Sequence, residues 1–304
     1  MRTERVRASG PLVEEPADAL LKRLVVSQGA VPLGFELFPP RSAARREALL
    51  TAVDRLAPAA DAGFSVTMGA GGTTRTGTHD TAVAVARRSG RPVTAHLTAL
   101  GLSKDQALEA ADGFWEAGIT RILALRGDRP RAVQGPLPVG FAHASDLVAA
   151  LAARHDFEIT VAAYPEKHPE AETLDADIDH LKEKLDAGAR AAVCQFVLDP
   201  AAYGRFLDAC ARHGIDAPIV PGVMPLEGWT RVRSFARAND TSVPDWLDRL
   251  FTRGEETPEL MPYLSAAATV EHARRLIAYG APALHVYAMN RWPLPLALAR
   301  LLGH

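Results

Sequence analysis

The sequence lacks the residues from which several common functions are recognised. It contains only two cysteines, Cys194 and Cys210, which are too far apart in the sequence to form the close cysteine pair of a zinc site. Its net charge is -2, and its basic and acidic residues are interspersed, so no basic surface for nucleic acid or anionic lipid is indicated. We therefore expect no metal centre, no nucleic acid partner and no membrane partner.

Long apolar segments are absent as well. The N-terminal stretch MRTERVRASGPLVEEP is charged, and no later stretch approaches the length of a membrane span. These absences predict a soluble cytoplasmic protein. We expect residues 1–15 to be disordered or extended, residues 16–28 to form a helix across the base of the fold, and residues 16–304 to form one catalytic domain.

Two nucleotide-binding and catalytic patterns are also missing. The glycine-rich stretch GAGGTT at residues 69–74 lacks the third glycine of a dinucleotide fingerprint and the lysine of a P-loop, so it is interpreted as a tight loop. No lysine ends a predicted strand, which argues against an aldolase that works through a Schiff base. The order of the predicted strands and helices is therefore the next source of information about function.

Short runs rich in β-branched residues recur along the chain and predict eight strands. Amphipathic helical patterns lie between them, and several close on a glycine before the next strand, as at Gly63 and Gly118. Eight strands alternating with helices favour a closed (β/α)8 TIM barrel, an α/β fold of one domain, over an open doubly wound sheet. The predicted strands cover residues 33–38, 64–68, 93–97, 121–125, 158–164, 192–197, 217–223 and 283–289.

Helix starts are marked by capping residues. Ser103 followed by Gln106 predicts a capping box, and Asp199 followed by Pro200 predicts an N-cap with proline in the first helical position. A further helix is predicted over residues 173–187. The stretch 227–262 is a long insertion before the last predicted helix and strand, and we interpret it as a lid or a wall of the substrate site.

Polar residues close most of the predicted strands, and in a TIM barrel the C-terminal ends of the strands form the active site. Glu36 alternates with Phe35 and Leu37, so it is expected to point into the barrel. Burial there should raise its pKa and make it a proton donor near neutral pH. The other residues of this set are Thr67, His96, Arg126, Asp128, Tyr164, His168, Gln195, Tyr287 and Arg291.

Each of these assignments has a simpler alternative. Glu36 could be a structural acid paired with Arg126 or Arg41, and His96 could be a histidine of the core. Asp128 could accept two hydrogen bonds from the amidine edge of a heterocycle, or it could cap the next helix.

Several longer motifs resemble one known family, the methylenetetrahydrofolate reductases. GFELFPPR, AHLT, ALRGD, ASDLV, AAYPEKHPEA, DAGA, PGVMP and YAMNR follow in that family's order and spacing, across roughly residues 30–303. The resemblance implies a TIM barrel that reduces 5,10-methylenetetrahydrofolate to 5-methyltetrahydrofolate with electrons from NADH or NADPH, a reaction of one-carbon metabolism. Members form dimers or tetramers, so a homo-oligomer is a further expectation.

The resemblance also implies roles for individual residues. Glu36 corresponds to the acid that protonates the folate, and Asp128 to the carboxylate that holds the pterin and stabilises the cation formed from it. Gln195, Phe235, Tyr287, Met289 and Arg291 correspond to the substrate-binding wall. The residues that correspond to the family's flavin-binding set are Thr67, His96, Arg126, Gly127, Tyr164, His168, Asp177 and Lys184.

Departures from the family pattern concern the flavin FAD. His143 stands where a tyrosine is usual, His180 where an asparagine is usual, and Glu183 where an arginine is usual on the nucleotide-facing helix. Arg231 stands where a glutamine usually contacts the substrate. An acid near a pyrophosphate is repulsive, and some relatives are flavin-independent, so FAD is doubtful and direct hydride transfer from the nicotinamide is predicted.

Three alternatives stay open from the sequence. The first is the FAD-dependent form of the same reaction, in which positions 180 and 183 have changed without loss of the cofactor. The second is a lyase or aldolase barrel, although PGVMPLEG has little basic character for a phosphate. The third is a barrel that binds folate without catalysis.

Overall fold

The computed structural model describes residues 31–69, 75–127 and 138–304 of the chain. The predictions made for residues 1–15 and 16–28, for most of the glycine-rich stretch and for Asp128 lie outside these ranges.

Eight parallel strands form a closed barrel in which each strand pairs with its neighbours in the sequence and β8 pairs with β1. This confirms the predicted TIM barrel, and all eight predicted strands are present with ends that differ by no more than two residues. The strands are β1 (Leu33–Leu37), β2 (Gly63–Val66), β3 (Val93–Thr98), β4 (Arg121–Leu125), β5 (Glu158–Ala163), β6 (Ala191–Phe196), β7 (Ile219–Val223) and β8 (Leu284–Tyr287).

Ten α-helices surround the barrel within the described ranges. None of them is both long enough and apolar enough to cross a bilayer. The helices are α1 (Ala43–Leu56), α2 (Arg75–Ser89), α3 (Lys104–Glu116), α4 (Ala144–Arg154), α5 (Leu174–Asp186), α6 (Pro200–Arg212), α7 (Trp229–Ala238), α8 (Asp245–Gly254), α9 (Met261–Ala278) and α10 (Pro293–Leu301).

The alternation in β1 decides what faces the helices and what faces the barrel axis. Leu33, Phe35 and Leu37 are fully buried in the main hydrophobic core. Glu36 belongs to the opposite face of the strand, because successive side chains of a strand point to opposite sides. The strand register pairs Glu36 with Ser65 of β2 and with Tyr287 of β8, which places these three residues in one layer of the barrel interior.

The capping residues act as the sequence predicts. The Ser103 hydroxyl accepts a hydrogen bond from the Gln106 backbone N–H at 3.2 Å, and the Gln106 side chain accepts one from the Ser103 N–H at 3.0 Å. Asp199 accepts a hydrogen bond from the Ala201 N–H at 3.1 Å, and Pro200 is the first residue of α6. Both predicted helix starts are therefore confirmed.

Gly63 has a different role from the one predicted. It does not end a helix, because α1 stops at Leu56 and a short 3-10 turn follows at Ala57–Ala59. Gly63 is the first residue of β2 and has a φ of 91°. Its backbone passes so close to the Pro92 carbonyl that a Cβ atom would collide with it. Glycine is needed here for close approach between β2 and the start of β3.

The insertion at 227–262 folds into α7, α8 and a short turn at Pro258–Leu260. It has a small hydrophobic core of its own, in which the Trp229 and Phe251 rings stack with centroids 4.7 Å apart. Phe196, the last residue of β6, belongs to this second core. The insertion therefore packs against the end of β6. Its role as a lid or a wall of the substrate site stays a prediction.

Replacing Gly63 by alanine should destabilise the barrel by about 3 kcal/mol or more, since left-handed backbone strain adds to a backbone collision. Gly214→Ala is the matched control, because Gly214 also has a positive φ of 72° but no atom lies within 4 Å of a Cβ built there. The control should lose only about 1–2 kcal/mol. Urea unfolding of both variants measures the difference, and equal losses would show that the Pro92 contact contributes nothing.

Candidate active site

Glu36 lies at the centre of a small polar cluster inside the barrel mouth. The Nε2 atom of His285 is 3.0 Å from Glu36 Oε2, within hydrogen-bond distance. The Nε2 atom of His96 is 3.7 Å from the same oxygen and has no hydrogen-bond partner among the described residues. The side chains of Glu36 and both histidines are at least 85% buried. The carboxylate therefore sits between two imidazoles with little access to water.

The protonation state of Glu36 differs from the prediction. Burial acts to raise the pKa of Glu36, but the hydrogen bond with His285 and the charges of His96 and His285 outweigh it and lower the pKa below its ordinary value. Burial lowers the pKa of His96 to about 4, so His96 is neutral near pH 7. Burial is the largest single influence on Glu36, and only the hydrogen bond and the two histidine charges together reverse it. Within the described ranges Glu36 pairs with His96 and His285, and not with the alternative partners Arg126 or Arg41.

Gln195 and Tyr287 form the neighbouring part of the barrel wall. The Tyr287 hydroxyl donates to the side-chain oxygen of Gln195 at 3.3 Å, and burial raises the pKa of Tyr287 well above its ordinary value. The Phe196 N–H donates to the same Gln195 oxygen at 2.9 Å. Two donors fix this oxygen, and the Gln195 amide nitrogen makes no hydrogen bond to another described residue.

An aromatic surface continues from Tyr287 toward the insertion. The Phe196 ring meets Tyr287 edge-on at 6.2 Å and stacks on Phe235 of α7 at 5.4 Å. Phe235 is 45% exposed although it is a large apolar residue. Phe235 therefore keeps an exposed surface beyond its contact with Phe196.

The loop after β8 is strained and firmly held. Met289 and Asn290 have φ angles of 53° and 56°, in the left-handed region. The Asn290 side chain accepts from the Phe38 N–H and donates to the Phe38 carbonyl, both at 2.9 Å. Arg291 donates to Glu227 at 2.9 Å. These contacts hold exposed Met289 and Arg291 at the rim, next to the ends of β1 and β7.

A separate cavity of about 290 Å³ opens beside this centre, between the ends of β4 and β5 and the helices α4 and α5. Most of the predicted cofactor-binding residues meet there, although they are up to 58 positions apart in the sequence. Tyr164 lines the cavity and is near enough to Tyr287 for its charge to add to burial in raising the pKa of that phenol. The predicted residues that line it are Arg126, Gly127, Tyr164, His168, Asp177 and Lys184.

Lys184 and Asp177 are fixed at the inner end of this cavity. Lys184 donates to the Ala162 carbonyl at 2.7 Å, and burial lowers its pKa to about 8 although Asp177 acts to raise it. Asp177 accepts from the His168 N–H at 2.9 Å, and the His168 ring meets the Tyr164 ring edge-on at 4.7 Å. The loop after β5 is thus tied to α5 by the same residues that line the cavity.

Arg126 faces the outer end of the cavity and forms an ion pair with Glu170 at 2.7 Å. Gly127 has a φ of 85°, and a Cβ atom there would lie 2.9 Å from Thr98 Cβ. Glycine lets the chain turn over the end of β3 and aims Arg126 into the cavity. Asp128 follows directly, outside the described ranges, so its position stays a prediction.

Three of the four departures from the family pattern, His143, His180 and Glu183, also line this cavity, and Arg231 does not. His143 precedes α4, and its backbone N–H donates a hydrogen bond to the Asp146 carboxylate at 3.1 Å. His180 and Glu183 lie 3.3 Å apart on α5, and both side chains are more than 60% exposed. The acid therefore stands at the solvent side of the cavity, where water weakens its repulsion.

Two of the predicted cofactor residues lie elsewhere. His96 is part of the Glu36 cluster, and Thr67 does not line the cavity; its carbonyl accepts a hydrogen bond from Thr78 at 3.0 Å. Sequence reasoning also missed His285, Asn290 and Glu170. Alternation could have found His285, since it is two residues before Tyr287 on the same face of β8.

Comparisons with known proteins give one consistent family. The family model described as methylenetetrahydrofolate reductase matches residues 21–303. The 5,10-methylenetetrahydrofolate reductase of Pectobacterium carotovorum is 38% identical over 286 residues, which cover 94% of this chain and 95% of the relative. The Escherichia coli enzyme of the same name is 36% identical over the same shares of both chains.

A plant relative and a solved structure extend the comparison. Arabidopsis thaliana methylenetetrahydrofolate reductase (NADH) 1 is 32% identical over 88% of this chain and 47% of its own length. A solved Clostridium thermocellum protein, described as binding two copies of 5-methyl-5,6,7,8-tetrahydrofolic acid, aligns with a TM-score of 0.61 at 13% identity. That alignment covers 92% of this chain and 97% of the solved one, and it shows the shared fold.

The neutral, buried His96 should make stability depend on pH. Its pKa is about 4 in the folded protein and ordinarily 6.5, so the unfolded chain binds a proton that the folded protein does not. Stability from this group is complete above pH 6.5 and falls as the pH drops toward 4, by about 3 kcal/mol in total.

Urea unfolding at several pH values tests this with His96→Gln, whose stability should fall less between pH 6.5 and 4 than that of the unmodified protein. His180→Gln is the control, since His180 is 61% exposed. An unchanged slope in His96→Gln would contradict the assignment.

Proposed function

This chain belongs to the methylenetetrahydrofolate reductase family of oxidoreductases, and we propose that Glu36, held by His285 in the barrel mouth, is the proton donor of the reductase reaction. The observation that carries the proposal is a buried carboxylate at the C-terminal end of a barrel strand, 3.0 Å from an imidazole that holds it in place. The reaction converts 5,10-methylenetetrahydrofolate to 5-methyltetrahydrofolate with electrons from a reduced nicotinamide.

The chemistry requires an acid. A hydride attacks the bridging methylene carbon readily only after the five-membered ring has opened to an iminium ion. A proton from Glu36 goes to the ring nitrogen that leaves, the bond between that nitrogen and the methylene carbon breaks, and the nitrogen keeps the electron pair. The hydride then reduces the iminium carbon to a methyl group. The net change is one proton and one hydride added.

The wall beside Glu36 supplies the contacts that a pterin and its attached aromatic ring need. Gln195 has a free amide nitrogen to donate to the ligand, and Phe235 has an exposed face to stack on a ring. Asp128 is proposed to stabilise the iminium ion, on the motif resemblance alone. Met289 and Arg291 form the adjoining rim.

We propose that the cavity around Lys184 receives the nicotinamide nucleotide and that hydride passes directly to the folate. Two fixed cations, Arg126 and Lys184, face three acids, Asp177, Glu170 and Glu183. This balance is unfavourable for a pyrophosphate, which carries two negative charges. Weak binding suits a nucleotide that enters and leaves in each turnover, and it is a disadvantage for a cofactor that must stay bound.

A second candidate is the FAD-dependent form of the reaction. The specific observation in its favour is that the cavity joins Tyr164, His168, Arg126 and Lys184, a set of aromatic rings and cations suited to a dinucleotide, while Glu183 is 62% exposed and its repulsion is screened. FAD would be held by these residues and would carry hydride between nicotinamide and folate. The rings and cations that line the cavity suit this group, and the balance of its charges does not.

Replacing Glu36 by glutamine should lower turnover at least about 100-fold, because the amide has no proton to give. The folate should still bind, since a glutamine occupies the same space. Anaerobic NADH oxidation with methylenetetrahydrofolate measures turnover, and ligand fluorescence measures binding. Glu271→Gln is the control, because Glu271 pairs with Arg275 on the outer helix α9. Unchanged turnover in Glu36→Gln would show that another group donates the proton, and folate binding without turnover in the unmodified protein would favour the non-catalytic barrel.

Direct transfer predicts a purified protein without flavin absorbance that nevertheless oxidises NADH in the presence of methylenetetrahydrofolate. Glu183→Arg should then raise the affinity for added FAD about two- to fivefold, as one exposed charge contact does. Asp186→Arg makes the same charge change on α5 outside the cavity lining and should not. A yellow protein with one flavin per chain would instead establish the FAD-dependent form.

A further inference from the structure

His285 is buried in the barrel wall next to the proposed acid. It is 8% exposed, its Nε2 atom lies 3.0 Å from Glu36 Oε2, and its ring meets Tyr287 edge-on with centroids 5.4 Å apart. The packing of Tyr287 against it and the place of both residues on β8 fix the imidazole plane toward the carboxylate. A histidine that only filled space in the core would not need a hydrogen bond to a buried carboxylate.

An acid catalyst must carry a proton when the substrate arrives, yet this carboxyl group is held in its ionised form by the same contact. We propose that His285 stores the proton that Glu36 delivers, so that the Glu36–His285 pair is the functional acid. The proposal rests on the proposed reductase function and assigns His285 as a positioning residue that acts through Glu36.

The transfer is balanced as follows. The proton moves from His285 Nε2 to Glu36 Oε2, which converts imidazolium and carboxylate to imidazole and carboxylic acid without a change in total charge. Glu36 passes the proton to the departing folate nitrogen and becomes a carboxylate again. After product leaves, His285 takes a new proton from solvent. Each turnover uses one proton, and the pair ends in its starting state.

The other titratable groups that face Glu36 are less suited to this role. His96 is 3.7 Å from the carboxylate, beyond hydrogen-bond distance, and is neutral near pH 7 because its pKa is about 4. Tyr287 keeps its proton, since burial raises its pKa well above the ordinary value. Among the described residues, His285 is the titratable side chain within hydrogen-bond distance of Glu36.

The pH dependence of turnover separates storage from simple positioning. When both sites of a pair are deprotonated, either one can bind the next proton. The pair therefore binds that proton more tightly than either site alone, because the two microscopic affinities add. The alkaline limb of the kcat profile should therefore lie at higher pH in the unmodified protein than in His285→Gln. Glutamine can still donate a hydrogen bond to Glu36, so orientation is preserved while the second proton site is removed.

We expect His285→Gln to lower kcat about 10-fold or more at neutral pH, to recover part of this loss at acid pH, and to change KM for the folate little. His213→Gln is the matched control, since His213 also contacts carboxylates, Asp179 at 2.9 Å and Asp175 at 3.4 Å, on the outside of the barrel. An alkaline limb in His285→Gln that coincides with that of the unmodified protein would overturn the proposal.

A measurement on the unmodified protein covers the case in which His285→Gln does not fold. In ¹⁵N-histidine spectra, the His285 nitrogen should titrate, and Glu36→Gln should shift that titration to lower pH by removing the anionic partner. A His285 signal unaffected by Glu36→Gln would refute the pairing. This experiment needs no turnover, so absence of reductase activity would count against the proposed function alone, and the spectra would still decide the proton-storage role.

Discussion

The cost of burying a carboxylate in a closed barrel governs the rest of the site. A lone ionised Glu36 in the barrel interior would be strongly unfavourable, and the chain offsets that cost with His285 at hydrogen-bond distance and His96 behind it. The same contact that makes burial tolerable also decides the protonation state of the acid. Structure and chemistry are therefore linked through one hydrogen bond between β1 and β8, the two strands whose pairing closes the barrel.

Around that cluster, the loops at the mouth are fixed by polar contacts between distant segments. Asn290 binds both backbone groups of Phe38, and Arg291 pairs with Glu227. Glu166 in the loop after β5 accepts the Ser242 N–H of the insertion at 3.2 Å. Such contacts join segments that follow β1, β5, β7 and β8, so the rim keeps its shape while each loop contributes one wall of the site.

The residues that line the cavity beside the cluster favour a dinucleotide by some of their properties and disfavour it by others. Its rings and cations resemble a dinucleotide site, and Gly127 turns the chain so that Arg126 reaches it. Its acids lie on the same surface, with Glu170 already paired to Arg126. If the cavity receives the nucleotide as proposed, Arg126 must exchange Glu170 for the pyrophosphate, so the loop after β5 would take part in binding.

The sequence by itself determined the barrel, its eight strands, the helix caps at Ser103 and Asp199, and the inward direction of Glu36, because these follow from local periodicity and short-range hydrogen bonds. It also predicted most residues of the cavity, through motifs whose order is preserved. Only the tertiary structure decided that His285 contacts Glu36 across 249 positions and lowers the pKa that burial alone would raise. It likewise decided that Gly63 serves a close strand approach and that Glu183 is exposed. The reason is physical: a pKa depends on the charges and water within a few ångströms of a group, and strand closure sets those distances between residues that are far apart in the chain.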